Sequence, residues 1–397
     1  MVSELCNFVQ PDYVKKFHCI ADRCEDTCCS GWTIYVDKNA YDKCKEIKEI
    51  ETQDKINKSI FINDENSIKN YSYIKFDDKG LCPLLNPNGF CTLHLKYGEE
   101  YLGEVCNLYP RNIRKLNNSY IQVLSLSCIE AARLCLLSRN GINFEVVNLE
   151  HQDKFDSFVA LNTDKYENEE FINILMYIIG VLQNDSMDFS KRLVLLGYFM
   201  HDLEQIFIEE RYEDIQKLFN EYENIDREVV DIGNNIRENI KFIFSIIDKR
   251  MNKGISNNVF YEFLQEFQKG FVLEAEMDLE DIVVKYEKGF YKLKEKFLNK
   301  HLYIWENYFV NTVFKELIPL NVGVKSTRAY FCLIVQYSLL QCFLIGILNF
   351  NDNLTKEDIV KFIAAFERVF PYNYLDKCYE DLNEELKDNI DFYLSLI

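Results

Sequence analysis

Apolar residues recur at intervals of three and four along most of the chain beyond Val147, as they do in helices that bury one face. The pattern predicts helices over residues 170–183, 192–208, 212–222, 227–249, 258–270, 278–298, 300–316, 328–350, 355–369 and 381–396. Pro319 and Pro371 fall where two of these helices are expected to end, because proline disrupts a helix interior. The larger part of the chain is therefore predicted to be an all-α domain of many helices.

One of these helices is apolar enough to cross a membrane. Residues 329–351 carry no charge and meet the length of a transmembrane span. Gln336 interrupts the run, and Ser338, Gln341 and Asn349 fall together on one side of a helix. We interpret the segment as a helix buried in the middle of the helical domain, and we expect no membrane span. Its polar side chains are then either paired in the core or line a cavity.

The first 140 residues show shorter patterns. Alternation and turn residues predict strands at 31–37, 72–76 and 119–126, a hairpin over 82–95 around Pro87-Asn88-Gly89, and helices at 38–58, 97–106 and 129–138. The fold class is accordingly expected to be mostly α. A small cysteine-rich α+β region with short strands and a hairpin, residues 1–140, precedes a multi-helix all-α domain, residues 141–397.

The two regions also differ in composition. The 397 residues carry a formal net charge of −19, of which residues 1–135 contribute only −2, yet 11 of the 14 cysteines lie in those 135 residues. The acidity argues against nucleic acid as a partner, since binding to phosphates depends on Lys and Arg. The N-terminus lacks a basic segment followed by an apolar one, so we expect a cytoplasmic location. In that reducing compartment, clustered cysteines more often bind metal or perform redox chemistry than form disulfides.

Several common motifs are missing from the sequence. There is no G-x-G, which removes the glycine-rich dinucleotide turn and its relative in the commonest methyltransferase fold. The P-loop, H-E-x-x-H and G-x-S-x-G motifs are absent as well. No C-x2-C pair occurs, which argues against ordinary zinc fingers and ribbons.

The spacing of the cysteines gives the strongest chemical signal. The candidate metal ligands are Cys19, Cys24, Cys28, Cys29, Cys82, Cys91, Cys106 and Cys128. Thiolates are soft donors that suit iron–sulfur clusters and zinc, and short spacings let one turn present two sulfurs to one centre. Eight thiols supply either two four-ligand sites or one site with cysteines to spare. Chance clustering of inert, buried thiols is the alternative.

The other cysteines and two histidines are assigned different roles. Six cysteines are expected to pack rather than to bind metal: Cys6, Cys44, Cys135, Cys332, Cys342 and Cys378. His18 and His94 neighbour candidate ligands. We expect these histidines to hydrogen-bond a sulfur or support the loop, with metal ligation as the alternative.

The residues around the cysteines resemble a known family. The cysteine pattern resembles the YkgJ-type zinc- or iron-chelating cluster domain, and the flanking residues are similar to flagellin lysine-N-methylase. The similar segments are Phe17-His18-Cys19, CEDTCCSGW from Cys24, CPLL from Cys82, FCTLHLKYGEEYLGEVCNLYPR from Phe90, and LSLSCIEAARL from Leu124. They cover most of residues 11–138, whereas the helical remainder matches only in length and character. Ile129 departs from the proline of many relatives, a backbone change that should not affect the sulfur of Cys128.

This resemblance implies an enzyme that transfers methyl groups from S-adenosylmethionine to lysine ε-amines of flagellin, in the cytoplasm before export. It also implies a cysteine-bound four-iron four-sulfur cluster, with zinc as the alternative. A lysine must lose its proton before it attacks a methyl group, and the candidate acceptors beside the cysteines are Glu25, Asp26 and Tyr109. Each of the three has a purely structural alternative, and the sequence assigns neither a catalytic residue nor a methyl-donor site.

Two other functions remain open at the level of sequence. The chain is alternatively a non-enzymatic iron–sulfur or zinc protein for metal handling or electron transfer. The other alternative is a structural zinc module attached to a helical domain that interacts with proteins. Because the helical region is acidic and rich in aromatic rings, we expect it to contact a cationic substrate.

Overall fold

The computed structural model describes residues 5–20, 23–30, 32–65, 67–116, 119–150, 168–223, 235–255, 257–272, 278–319 and 325–397. Helices dominate these ranges, and the strands are short and belong to the N-terminal part. The expected fold class, mostly α with a small α+β region, is confirmed.

The strands form two small sheets. Their bounds are β1 (Leu5–Pro11), β2 (Ile34–Val36), β3 (Ile60–Ile62), β4 (Ser72–Ile74), β5 (Arg111–Leu116), β6 (Ser119–Leu124) and β7 (Phe144–Glu150). The first sheet has the order β5-β6-β1-β7, with β1 parallel to β6 and antiparallel to β7. The second is antiparallel and has the order β2-β4-β3. The predicted strands at 31–37, 72–76 and 119–126 are confirmed as β2, β4 and β6, whereas β1, β3, β5 and β7 were not predicted.

The helices follow the periodic pattern closely. Their bounds are α1 (Lys38–Glu46), α2 (Ile50–Ser59), α3 (Thr92–Tyr97), α4 (Glu104–Leu108), α5 (Ile129–Leu136), α6 (Asn168–Leu182), α7 (Phe189–Ile208), α8 (Ile215–Glu223), α9 (Ile236–Met251), α10 (Asn258–Phe271), α11 (Leu279–Leu293), α12 (Asn299–Glu316), α13 (Ser326–Phe350), α14 (Lys356–Val369), α15 (Tyr372–Glu380) and α16 (Ile390–Ser395). A π-helical turn, Lys294–Leu298, joins α11 to α12. Residues 227–234 of the predicted helix 227–249 lie outside the described residues.

The helix predicted over 38–58 is wrong as a single element. It is divided at Ile47, whose backbone is extended, into α1 and α2. The side-chain amide of Gln53 donates to the carbonyl oxygens of Cys44, Lys45 and Ile47 at 3.2, 3.1 and 2.8 Å. These bonds satisfy carbonyls at the end of α1 that have no partner within the helix.

The predicted hairpin over 82–95 is only partly right. The turn exists, because the amide of Asn86 binds the carbonyl of Phe90 at 2.8 Å. The second arm is the helix α3 rather than a strand. The helix predicted over 97–106 is also wrong, since Gly98 has a φ of 90° and ends α3 there. That left-handed backbone is easily adopted only by glycine.

The prediction for residues 381–396 needs correction as well. Only α16 is helical within that range, while α15, which lies before it, was not predicted. Pro371 was expected where a helix ends, and this is confirmed, because α14 ends at Val369; the same proline also lies immediately before α15. Proline fits the start of a helix because the first amides have no partner within the helix.

The apolar helix α13 lies at the centre of the helical part. It is long and apolar enough to cross a membrane, and its most apolar 18-residue window is 100% buried. Helices α7, α10, α11 and α15 pack around it. The interpretation of this segment as a buried core helix is confirmed.

The described residues form two main hydrophobic cores and a third small cluster of Cys6, Phe8 and Tyr120. The large core combines the helical part with Tyr13, Leu124 and Ile129 of the first 140 residues. The small core is built around strands β2, β3 and β4 and includes Ile34 and Leu84. The N-terminal region is therefore divided, and only part of it packs directly on the helices.

The close crossing of α10 and α13 gives a stability prediction. A Cβ on Gly270 would lie 1.8 Å from the carbonyl oxygen of Gly346, which is backbone and cannot easily move. We expect Gly270→Ala to lower the free energy of unfolding by about 1–3 kcal/mol, the usual cost of overpacking. Gly180 in α6 has open space around it, so Gly180→Ala should raise stability by about 0.5–1 kcal/mol. Urea unfolding of both variants tests this, and equal effects would contradict it.

Candidate metal centre

The first four candidate cysteines lie in one irregular loop before β2. The loop is fixed by backbone bonds: the amide of Cys82 donates to the carbonyl of Cys29 at 2.8 Å. The indole nitrogen of Trp32 donates to the carbonyl of Cys28 at 2.7 Å, and the amide of Cys29 donates to the Thr27 hydroxyl at 3.2 Å. Backbone groups of Cys28, Cys29 and Cys82 therefore fix the shape of the loop, within which the Cys24 thiol donates to the Asp26 carbonyl at 3.3 Å.

The other four candidates are placed by separate elements. Cys82 follows β4 in the chain, and Cys106 lies within α4. Cys91 and Cys128 each occupy the residue immediately before a helix, α3 and α5 respectively. Distant parts of the sequence thus supply the remaining four candidates.

All eight candidate cysteines line a single cavity of about 660 Å³. His18, His94, Asp26 and Tyr109 line it too. Cys44, which was expected to pack elsewhere, also borders this cavity, although it is buried. The remaining five cysteines are buried away from it: Cys6, Cys135, Cys332, Cys342 and Cys378.

The cavity lies between the two hydrophobic cores. Cys29, Cys82, Cys91 and Cys106 pack against the small core, whereas Cys24 and Cys128 pack against the large core. The cavity thus lies at the junction of the two cores.

Cys28 lies close enough to three other thiols of the cavity to raise their pKa. Burial is the largest cause that raises the pKa of Cys82, Cys91 and Cys106, and the charges of neighbouring thiols add to it. Cys28 contributes to each of these shifts, and its own pKa is raised by the hydrogen bond that its thiol donates to Cys29 and by burial. We call Cys28, Cys82, Cys91 and Cys106 the thiol quartet.

Thiols are the donor type that soft metals and iron–sulfur clusters prefer, although the sulfurs here are not arranged around a single ion. Among the described residues, no three His, Cys, Asp or Glu side chains are close enough to hold one ion together. The sulfurs instead border an open volume. Burial raises the pKa of Cys82 and of Cys128 to about 12, so a positive centre is needed to ionise them at neutral pH.

Arg368 of α14 reaches the cysteine loop from the helical part. Its guanidinium donates to Asp26 Oδ1 at 2.8 Å, to the Asp26 carbonyl at 3.2 Å and to the Thr27 carbonyl at 3.3 Å. It also donates to the carbonyl of Ser127, next to Cys128, at 2.8 Å. Sequence reasoning missed this residue, because a single arginine 240 positions beyond Cys128 carries no motif.

The three candidate proton acceptors have distinct surroundings. Asp26 is buried and paired with Arg368, and burial raises its pKa. Burial also raises the pKa of Tyr109, whose hydroxyl lies 3.1 Å from that of Ser127. Glu25 is exposed and pairs with Arg133 at 3.1 Å. At neutral pH Tyr109 is therefore a neutral phenol, and only the two carboxylates are suited to accept a proton.

Comparison with known proteins points to one family. Residues 176–396, more than half of the chain, match the FliB lysine N-methylase C-terminal domain. Among similar proteins are the Lysine-N-methylases of Salmonella typhimurium and Salmonella choleraesuis and the Flagellar biosynthetic protein FliU of Salmonella muenchen, each 29% identical over 122 residues. That match covers 30% of this chain, 30% of each methylase and 72% of FliU. No solved structure matches the chain.

Proposed function

We propose, because the chain belongs to the FliB lysine N-methylase family, that it transfers methyl groups from S-adenosylmethionine to lysine ε-amines of flagellin in the cytoplasm. The observation that carries the proposal is the family match over residues 176–396. This match falls on the helical part, where no motif was recognised in the sequence. It is supported by the names of the similar Salmonella proteins, two of them methylases and one flagellar.

The thiol cavity is the proposed site of an iron–sulfur cluster, with zinc as the alternative metal. We assign the thiol quartet as its ligands, because the four sulfurs border one cavity and the charge of Cys28 raises the pKa of each of the other three. Bound there, a cluster would supply a redox-active and Lewis-acidic centre. Cys19, Cys24, Cys29 and Cys128 then remain for a second centre or for packing.

The proposed reaction has simple requirements. The bond between sulfur and methyl in the donor breaks while the new bond between nitrogen and carbon forms, and the electron pair stays on sulfur as a neutral thioether. The lysine ammonium must first lose a proton, since the protonated nitrogen has no lone pair. Much of the acceleration comes from holding amine and methyl in line.

Incubation with flagellin and isotope-labelled S-adenosylmethionine tests the proposal. The chain, purified without oxygen, should add to flagellin lysines the mass of one methylene for each methyl transferred. Intact-mass and peptide mass spectrometry give the number and the positions. A matched reaction with flagellin whose lysines are acetylated controls for labelling at other residues, because an amide nitrogen does not accept the methyl group.

Metal analysis separates this function from the alternatives. Brown protein with iron and inorganic sulfide agrees with the cluster, whereas colourless protein with stoichiometric zinc would remove it. If iron is present but no label reaches flagellin, with or without a reductant, the chain is a non-enzymatic metal protein.

A further inference from the structure

A second cavity lies within the helical part, away from the thiols. It has a volume of about 330 Å³ and shares no lining residue with the thiol cavity. Its floor is formed by α13 through Ser338, Gln341 and Cys342, and its mouth by α11 through Glu287 and Tyr291. Two of the polar residues that the sequence placed on one side of a helix therefore do line a cavity.

The floor of this cavity contains a hydrogen-bond acceptor that lacks a donor. Gln341 is 4% exposed, and its amide nitrogen donates to the Tyr286 hydroxyl at 2.9 Å. Its amide oxygen Oε1 is buried and accepts no hydrogen bond. A buried carbonyl without a partner is costly, so this position favours a ligand that brings an N–H or O–H group.

The other polar groups around Gln341 are already paired. The Ser338 hydroxyl donates to the carbonyls of Ile334 and Leu396 at 2.9 and 2.7 Å. Asn239 and Ser395 bind each other through their side chains. The open acceptor of Gln341 is therefore the polar group of the floor that is suited to recognise a ligand.

The walls and the mouth favour a flat ring joined to a cation. The ring of Tyr286 stands beside Gln341, and Phe290 and Tyr291 lie nearer to the opening on the same helix. Aromatic faces attract both heterocycles and cations. Glu287 is exposed at the mouth and places a negative charge there.

We propose that this cavity binds the methyl donor, with the amino group of its purine at Gln341 and its sulfonium at the mouth beside Glu287. The inference rests on the proposed function, because that reaction requires such a donor. A volume of about 330 Å³ exceeds what a lysine side chain fills and falls in the range of small-molecule sites. The transferred methyl then faces the surface, where a protein substrate can approach.

Calorimetric titration of the full chain with S-adenosylmethionine and with S-adenosylhomocysteine tests the site. Glu287→Gln should weaken binding of the sulfonium about five- to tenfold and leave the neutral thioether within twofold, because only the former carries the charge. Gln341→Met keeps the side-chain volume but removes the acceptor, and it should weaken both ligands about tenfold.

Glu295→Gln is the matched control, since Glu295 is an exposed carboxylate in the adjoining π-helical turn and does not line the cavity. Thermal unfolding without ligand checks that each variant is folded. If the Glu287 and Glu295 variants behave alike, or if Gln341→Met binds both ligands as the wild type does, the location is wrong. If the Glu287 and Gln341 variants bind both ligands normally and lose affinity only for a lysine peptide, the location is also wrong. If the wild type binds neither ligand, the proposed function fails, and the site with it.

Discussion

Replacing Cys28 by alanine is expected to remove most of the bound metal and to bleach the protein. The charge of Cys28 raises the pKa of the other three thiols of the quartet, and Cys28 lines the same cavity. Loss of one ligand from a four-thiolate site leaves an incomplete shell, and metal binding in such sites is coupled to folding. We expect at least a tenfold loss of iron per chain, measured by metal analysis and visible absorbance, together with lower solubility.

Cys342→Ala is the matched control. Its thiol is 1% exposed and lies in α13 outside the thiol cavity, so its replacement should leave metal content unchanged. Cys24→Ala, outside the quartet, distinguishes one centre from two. We expect it to bleach the protein only if a second centre uses Cys24. Equal metal loss in the Cys28 and Cys342 variants would contradict the division between ligands and packing thiols.

Removing the guanidinium of Arg368 should be the most destabilising change at the junction of the two cores. Asp26 is 8% exposed, and without its partner the carboxylate would remain buried and unpaired. Breaking a buried ion pair in this way costs about 3–5 kcal/mol, much more than an exposed pair contributes. We expect Arg368→Met to lower the free energy of urea unfolding by this amount and to reduce the metal content as well.

Three comparisons give this experiment its specificity. Arg368→Lys keeps the charge but loses several donors, so an intermediate effect is expected. In the double variant with Asp26→Asn, part of the loss should be recovered, because the buried charge is gone. Arg211 pairs with exposed carboxylates, and Arg211→Met should cost less than about 1 kcal/mol. If Arg211→Met and Arg368→Met were equivalent, Arg368 would have no special role.

The sequence predicted those features that local periodicity determines. The long amphipathic helices and the buried helix α13 follow from apolar spacing, because tertiary packing uses the same faces that the pattern marks. The breaks were harder to predict. The side chain of Gln53 binds the carbonyls at the end of α1, and a further helix, α15, begins directly after Pro371. Both outcomes depend on three-dimensional partners that a linear pattern does not contain.

The residues of the candidate site also include some that the sequence identified and some that it did not. Thiol chemistry could be recognised from residue type and spacing, since eight cysteines in one region are unusual. Arg368 could not be recognised, because its role follows only from the packing of α14 against the cysteine loop. The donor cavity lies between these extremes. The polar residues on one side of α13 indicated either paired core groups or a cavity. Only the fold shows that Gln341 lines a cavity and that its Oε1 accepts no hydrogen bond.

The bond between Asp26 and Arg368 has a consequence for biogenesis. The ribosome makes the cysteine loop early and the arginine that fixes it more than 340 residues later. Domains generally fold in the order of their synthesis, yet this loop cannot take its final position until α14 has emerged and packed. Loading of the thiol cavity is therefore a late step in maturation. A nascent chain stalled before α14 should carry unprotected thiols that alkylating reagents can reach.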